Sequence, residues 1–151
     1  MTMNRTKLTV LLLACVIGVS GAMIYLSASP SCTEVDGDRT VQLDASRLGR
    51  GAVGTFCYRD AAGKKLRFLL ARGMDGKLSA VFDACRQCFV YHRGYEIAGN
   101  ELICRVCGTH YQLQHIEDGK ASCVPVSLTH QTSRDSVTIK VSDLKSGSVL
   151  F

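Results

Sequence analysis

The sequence predicts a mostly β protein, in which a single N-terminal transmembrane helix precedes a small antiparallel β domain with two CxxC metal knuckles. Three observations predict this fold class. Residues 8–26 carry no charge, glycine and aspartate punctuate the rest of the chain at roughly strand-length intervals, and two CxxC pairs stand close together. We therefore expect a cytoplasmic tip at 1–7, a transmembrane anchor at 8–26, a linker at 27–31 and an extracytoplasmic β domain with a four-cysteine metal site at 32–151.

The apolar segment 8–26 is long enough to span a bilayer once. As a helix it would reach about 28 Å, close to the thickness of the hydrocarbon core. Arg5 and Lys7 precede it, whereas the first charges after it are acidic: Glu34, Asp36 and Asp38. The positive-inside rule then predicts a single-pass protein of the inner (cytoplasmic) membrane, with its C-terminal domain on the periplasmic side.

Two other interpretations of this segment are open. A cleaved secretory signal would need a small-residue site, and Ser27-Ala28-Ser29 is a fair match. Lipidation at Cys15 is suggested by the preceding Leu12-Leu13-Ala14, although it would leave eleven apolar residues after the cut. The length of the segment favours an uncleaved anchor. All three interpretations place the same domain on the same side of the membrane.

Charge and cysteine content limit the classes of partner and cross-link. The net charge is +5, and its basic residues are scattered along the chain, which argues against a nucleic-acid partner. The chain has eight cysteines, seven of them in the expected exported domain, and this number is compatible with disulfides because that compartment is oxidising. Spacing alone does not fix disulfide connectivity, so disulfides stay an alternative for any of these cysteines.

Short strands joined by Asp/Gly turns are the expected elements of the domain. Asp60–Gly63, Met74–Lys77 and Ala98–Asn100 are the predicted turns. Helical periodicity is poor, except around Asp143–Lys145. The predicted strands are Val53–Arg59, Lys65–Ala71, Leu78–Phe82, Tyr95–Ile97, Glu101–Ile103, His110–Gln114 and Val137–Val141.

The two CxxC pairs are the strongest chemical signal. Cys85 and Cys88 form the first, and Cys104 and Cys107 the second, with fifteen residues between the pairs. Two such turns can close one tetrahedral thiolate cage, and soft thiolates select zinc, a single iron or an iron–sulfur cluster. The spacing does not choose among these cofactors. A structural zinc knuckle in a zinc-ribbon-like fold is the alternative to an iron site.

The remaining cysteines have several open roles. Cys123 is a further candidate ligand, a resolving thiol, a disulfide partner of Cys57 or a buried free thiol. Cys32 is expected to be incidental or to link two copies of the chain.

Five other polar residues lie near the cysteines in sequence. His92, His110 and His115 are expected to be solvated histidines, with a role beside the sulfurs as the alternative. Arg86 and Arg105 occupy matching places in the two CxxC loops. There they would offset thiolate charge or simply be solvated.

Several matched positions resemble the membrane iron–sulfur protein family called FtrD-like. They are Phe82–Cys88, Gly94-Tyr95, Cys104–Tyr111 and Cys123–Val126 followed by Leu128, within a match that covers roughly Leu66–Asp143. The resemblance implies a membrane-anchored iron–sulfur domain that acts in iron uptake or membrane-side electron transfer. Membrane redox or ferrous iron permease components are the partners it implies.

The chain also resembles Rieske domains more distantly. Cys104, Cys107, Gly108 and Tyr111 follow the order of the second Rieske loop, with Cys107 where that family has histidine. Cys88 likewise stands in place of the first-loop histidine. Four thiolates would give a bound two-iron cluster a much lower potential than a Rieske cluster has.

Three functions compete on the sequence. The favoured one is an electron carrier whose Cys85, Cys88, Cys104 and Cys107 hold iron, and the second is a zinc- or disulfide-stapled interaction module with no redox role. Thiol–disulfide exchange ranks last, because no βαβ pattern surrounds the CxxC pairs. The sequence contains neither a nucleophile-elbow motif nor a phosphate-binding loop, so an independent enzyme is disfavoured.

Overall fold

The computed structural model describes residues 32–118 and 123–151, which belong to one compact unit, Cys32–Phe151. The expected tip, anchor and linker at 1–31 lie outside the described residues. Within the described ranges, no helix is long and apolar enough to cross a membrane. The predicted fold class is corrected accordingly: the described fold is a β domain with one short helix near its end, and it contains no membrane-spanning helix.

Eleven strands and one α-helix make up the described domain. A five-stranded sheet has the order β1-β3-β4-β5-β9, and two three-stranded sheets have the orders β10-β11-β2 and β6-β7-β8. The elements are β1 Thr33–Val35, β2 Thr40–Asp44, β3 Ala52–Arg59, β4 Lys65–Arg72, β5 Leu78–Cys85, β6 Tyr95–Ala98, β7 Glu101–Cys104, β8 His110–Gln112, β9 Pro125–Ser127, β10 Gln131–Ser133, β11 Ser136–Lys140 and α1 Val141–Ser146.

Tight turns set the register of the central sheet. Asp60 accepts hydrogen bonds from the backbone N–H groups of Ala62 and Lys64, and Gly63 adopts a φ of 80° in the same turn. This turn pairs β3 with β4 from Ala52↔Arg72 to Arg59↔Lys65 without interruption. The hairpin follows from the Asx-turn chemistry of aspartate and the positive φ that glycine tolerates.

Strand β5 is buried along its whole length and separates two apolar clusters. Its alternate residues face opposite sides: Phe82 packs into a cluster with β2, β11 and α1, whereas Val81 and Cys85 pack into a second cluster with Tyr95 and Leu102. The second cluster contains four of the seven cysteines that the structure describes: Cys85, Cys88, Cys104 and Cys123. The CxxC turns therefore sit on one face of the central sheet, and the larger apolar core sits on the other.

All seven predicted strand regions contain a strand, and α1 covers Asp143–Lys145, the stretch excepted from the poor helical periodicity. Two predicted ends are wrong: the eighth strand stops at Gln112 before a 3-10 turn, and Val141 begins α1 instead of ending a strand. Four short strands, β1, β2, β9 and β10, were not predicted. The expectation of antiparallel pairing fails only at β1, which pairs parallel to β3.

A disulfide joins Cys32 to Cys57, with their Cα atoms 5.7 Å apart. It connects the start of β1 to its neighbour β3, and Cys57 is buried. Two sequence interpretations are therefore wrong: Cys57 does not pair with Cys123, and Cys32 is neither incidental nor a link between two copies.

Candidate metal centre

Strand ends deliver five cysteines to one region of the domain. Cys85 ends β5 and Cys104 ends β7, so each CxxC turn begins where a strand stops. Cys123 arrives with β9, whose Pro125 is paired with Cys85 across the sheet. The sheet pairing thus brings the fifth cysteine beside the first.

Backbone hydrogen bonds hold both knuckles in tight turns. In the first, the Cys88 N–H donates to the Cys85 carbonyl at 3.1 Å, and the Arg86 N–H donates to the Val124 carbonyl at 2.9 Å. In the second, the Gly108 N–H donates to the Cys104 carbonyl at 2.9 Å, and Gly108 has a φ of 69°. The left-handed backbone at Gly108 fits the expectation that this position turns sharply.

Four sulfur atoms lie close enough to share one ion. The thiols of Cys85, Cys88, Cys107 and Cys123 all lie within 4.8 Å of one another. The Cys88 and Cys123 sulfurs are 3.9 Å apart. Cys104 is buried and lies outside this group of four. Burial raises the pKa of its thiol, and the neighbouring thiols of Cys107 and Cys85 add to the rise.

The donor set fits a soft metal. Four sulfur ligands suit zinc, a single iron or an iron–sulfur cluster, whereas magnesium and calcium prefer oxygen. Three of the four are buried or half-buried, and Cys107 is exposed at the surface. The arrangement therefore combines a set of shielded thiols with one sulfur that solvent reaches.

Comparison with known proteins identifies the family. The model of the family described as "Membrane iron-sulfur containing protein FtrD-like" matches residues 48–151, more than half of the chain. The chain belongs to the FtrD-like family. This match confirms the resemblance that the sequence predicted, and it extends further in both directions than Leu66–Asp143. No curated protein matches the FtrD-like chain.

Two solved structures are similar to part of it. One is the crystal structure of the quaternary ammonium Rieske monooxygenase CntA in complex with an inhibitor, with 18% identity over 74% of this chain and a TM-score of 0.43. The other is a structure of a quaternary ammonium Rieske monooxygenase described in relation to carnitine oxidation by gut microbiota, with 21% identity over 72% of this chain and a TM-score of 0.42. The FtrD-like chain spans about a third of each, 32% and 31%.

The thiols of the FtrD-like chain differ in acidity because their surroundings differ. Hydrogen bonds from the Thr109 hydroxyl, 3.2 Å from the Cys107 sulfur, and from the Thr109 backbone lower the pKa of Cys107 to about 6. Burial raises the pKa of Cys88 far above its usual range, with nearby thiols adding to the effect. At neutral pH, Cys107 is thus the thiolate that forms most readily without a metal.

We expect Cys107 to react fastest with an alkylating agent in the metal-free, reduced protein. Only the thiolate reacts, so the Cys107 rate should rise with pH through about 6 and level off above it. Thr109→Val should raise the pH at which the Cys107 rate is half-maximal, because this variant lacks the hydroxyl that stabilises the thiolate. Mass spectrometry of iodoacetamide-treated protein across pH 5–9 measures the rate at each cysteine. A Cys107 midpoint near 9 in the unmodified chain would contradict the assignment.

Two tyrosines flank the thiols. Tyr95 begins β6 and is 6% exposed, and its ring meets that of half-buried Tyr111 edge to face, with centroids 6.0 Å apart. Among the described residues, neither hydroxyl has a hydrogen-bond partner. Burial, with a smaller effect of the Cys85 charge, raises the pKa of Tyr95 well above its usual range. Both phenols therefore remain protonated donors at neutral pH.

Asp83 supports this side of the centre from β5. Its carboxylate accepts a hydrogen bond from the Tyr95 N–H at 2.8 Å and lies 3.1 Å from the Arg67 guanidinium. Asp83 is only 9% exposed, so the ion pair and the hydrogen bond offset the cost of burying its charge. The carboxylate thus anchors the start of β6 to the strand that carries Cys85.

Gly94→Ala should destabilise the domain and weaken the site. Gly94 has a φ of 60°, and a Cβ there would stand 2.5 Å from an Asp83 carboxylate oxygen. The left-handed backbone costs about 1–2 kcal/mol for an L-residue, and relieving the clash adds about 1–3 kcal/mol. Urea denaturation measures the loss of stability, and metal content measures the loss of the site.

Gly63→Ala is the matched control for this prediction. Gly63 also has a positive φ, 80°, but nothing lies within 4 Å of its added Cβ. The difference between the two variants isolates the contact with Asp83. Equal destabilisation of both would contradict a steric role for Gly94.

The remaining predicted residues lie away from the sulfurs or face solvent. His110 pairs with Glu101 at 2.9 Å and His115 with Asp118 at 2.8 Å, and both imidazoles are exposed. His92 and Arg86 are exposed as well. The Arg105 side chain donates to the Tyr95 carbonyl at 2.9 Å, which makes it a support of the Tyr95 backbone.

Sequence reasoning missed three functional candidates: Asp83, Thr109 and Tyr95. Asp83 and Thr109 stand within two residues of a CxxC cysteine, and Tyr95 follows Gly94 in the stretch that resembles the family. Their proximity to the knuckles was a signal. Their contacts depend on how β5, β6 and β7 pair, which the spacing does not encode.

Proposed function

We propose that this protein is an extracytoplasmic electron carrier whose cysteine centre holds iron, either as an iron–sulfur cluster or as a single ion. The observation that carries the proposal is the group of four sulfurs within 4.8 Å of one another. Membership of a family described as membrane iron–sulfur proteins supports iron over zinc. Bound iron would supply a one-electron couple, which no side chain of the group offers by itself.

The proposed ligands are Cys85, Cys88 and Cys107, with a fourth thiolate from the same region. Geometry favours Cys123 for that place, because its sulfur is within the group and that of Cys104 is not. The CxxC spacing makes Cys104 the alternative fourth ligand. Whichever of Cys104 and Cys123 is not the fourth ligand would be an extra thiol beside the metal.

Exposure of Cys107 suits exchange of electrons with a partner. Its sulfur reaches the surface, whereas those of Cys85 and Cys88 are buried. A carrier needs one exposed edge for transfer and a shielded interior that keeps water away from the metal. We propose that the partner is a membrane redox or ferrous iron permease component, in keeping with the family description.

The disulfide supports the proposed compartment. Structural disulfides persist in oxidising compartments and are rare in the cytosol, and Cys32 is joined to Cys57 in this domain. The opposite-charge pattern that the sequence shows around residues 8–26 agrees with this location. We therefore propose that the domain lies on the periplasmic side.

The deciding experiment is to purify the full chain anaerobically, record its visible spectrum with and without dithionite, and analyse it for iron, zinc and acid-labile sulfide. We expect iron and a visible band that bleaches on reduction. The ratio of iron to sulfide separates a single ion from a cluster. One zinc per chain without a visible band would overturn the electron-carrier proposal and leave a zinc-stapled interaction module.

A further inference from the structure

The Tyr95 hydroxyl is the one polar group of this residue that the fold leaves unsatisfied. Its N–H donates to Asp83 and its carbonyl accepts from the Arg105 guanidinium. The residue is almost completely buried. Within the described part of the chain the hydroxyl makes no hydrogen bond. Buried hydroxyls are nearly always paired, so an unpaired one next to a ligand site indicates a missing acceptor.

Tyr95 lies among cysteine sulfurs, which can accept a hydrogen bond. Tyr95 shares its apolar cluster with Cys85, Cys88 and Cys104, and it is directly paired with Cys104 between β6 and β7. Asp83, which accepts the hydrogen bond from the Tyr95 N–H, lies two residues before Cys85 on the same face of β5, and this places Tyr95 close to Cys85. A protonated phenol beside a thiolate is a hydrogen-bond donor to sulfur.

A fixed main chain, burial and ring packing together restrict where the Tyr95 hydroxyl can point. Asp83 and Arg105 hold the main chain of Tyr95 from both sides, and Tyr111 packs edge-on against its ring. The side chain therefore has little freedom to turn its hydroxyl toward solvent. Tyr111 is less buried than Tyr95.

We propose that Tyr95 is a positioning residue of the metal centre, whose hydroxyl donates a hydrogen bond to the Cys85 sulfur when that sulfur ligates the metal. This inference rests on the proposed function. A hydrogen bond to a ligating sulfur withdraws negative charge from it and stabilises the more electron-rich, reduced state. Tyr95 thereby raises the reduction potential of bound iron.

The test compares Tyr95→Phe, Tyr95→Leu and the unmodified full chain, with Tyr58→Phe as the matched control. Tyr58 is 8% exposed and belongs to the apolar cluster on the other face of the central sheet. We expect Tyr95→Phe to lower the equilibrium constant for reduction of the iron about tenfold, which lowers the reduction potential of a one-electron couple by about 59 mV. Tyr95→Leu should give the same shift, and Tyr58→Phe should give none. An unchanged potential in Tyr95→Phe overturns the proposal, as does a shift that only Tyr95→Leu shows, because that shift comes from ring packing.

A second measurement uses the metal-free protein. If the hydroxyl has no partner without metal, Tyr95→Phe should melt at the same temperature as the unmodified chain or higher. A lower melting temperature would mean that the hydroxyl is already paired within the protein, which contradicts the inference.

Cobalt(II) separates this inference from the proposed function. Sulfur-to-cobalt charge-transfer absorption depends on the ligating sulfurs and requires no iron or redox activity. Removing a hydrogen bond from sulfur should shift that absorption to longer wavelength in Tyr95→Phe and leave it unchanged in Tyr58→Phe. A purified chain without iron would contradict the electron-carrier proposal, and the cobalt band would still test the role of Tyr95. A chain that holds iron, but whose Tyr95→Phe variant shifts neither the reduction potential nor the cobalt band, would contradict the role of Tyr95 alone.

Discussion

Cys123→Ser is expected to strip the metal from the protein, and Cys104→Ser to leave it in place. The Cys123 sulfur is one of the four that lie within 4.8 Å of one another, and the Cys104 sulfur is not. Loss of a residue that merely supports a ligand costs about 10–100-fold in metal affinity, so loss of a thiolate itself should cost at least about 100-fold. Metal content per chain, followed by competition with a chelator, measures the difference.

Cys107→Ser is the positive control for the comparison of Cys123→Ser with Cys104→Ser, because Cys107 belongs to both candidate ligand sets. It should lose the metal whichever fourth thiolate binds. Cys104→Ser and Cys107→Ser alter the same knuckle, so a general disturbance of that turn would affect both variants. Retention of metal by Cys123→Ser together with its loss from Cys104→Ser would reverse the assignment in favour of the two CxxC pairs.

Removal of the disulfide should cost the domain roughly 3–4 kcal/mol of unfolding free energy. Cys32 and Cys57 are separated by 25 residues, and closing a loop of that length restricts the unfolded chain by about this amount. The short edge strand β1 also depends on the bond, since among the described strands its three residues pair with β3 alone. A Cys32→Ala/Cys57→Ala double variant, compared with the unmodified chain in urea, measures the loss.

Metal content is the control for this second prediction. Neither cysteine belongs to the group of four sulfurs, so the double variant should bind as much metal as the unmodified chain at low denaturant. An unchanged unfolding free energy would show that the bond adds nothing to stability. Loss of metal from the folded double variant would show that β1 and β3 support the centre.

Local chemistry explains which parts of the fold the sequence predicts. Asp60–Gly63 and Ala98–Asn100 mark hairpin turns through residue preferences that act within a few positions, and the strands beside them are where the pattern placed them. Strands β9 and β10 have three residues each, which is too short for an alternating pattern to stand out. Their positions follow from pairing with distant strands.

The difference between local and long-range contacts also decides which parts of the metal centre could be predicted. The CxxC spacing identifies the knuckles, because each pair closes a local turn. The pairing of Cys32 with Cys57 and the approach of Cys123 to Cys88 depend on sheet order, through β1 beside β3 and β9 beside β5. Contacts across such distances in sequence arise from tertiary packing, which spacing does not encode.

Strand β9 also determines when the centre can assemble. Cys123 reaches the other three thiols of the group through the pairing of β9 with β5, an event that joins segments more than thirty residues apart in the chain. Pairings of this kind form late, because a long loop must close before they gain any contacts. A nascent chain therefore presents its two CxxC turns before it presents all four thiols. If these four thiols hold the metal as proposed, full coordination requires the finished sheet, and release of β9 would free one thiol while both CxxC turns stay closed.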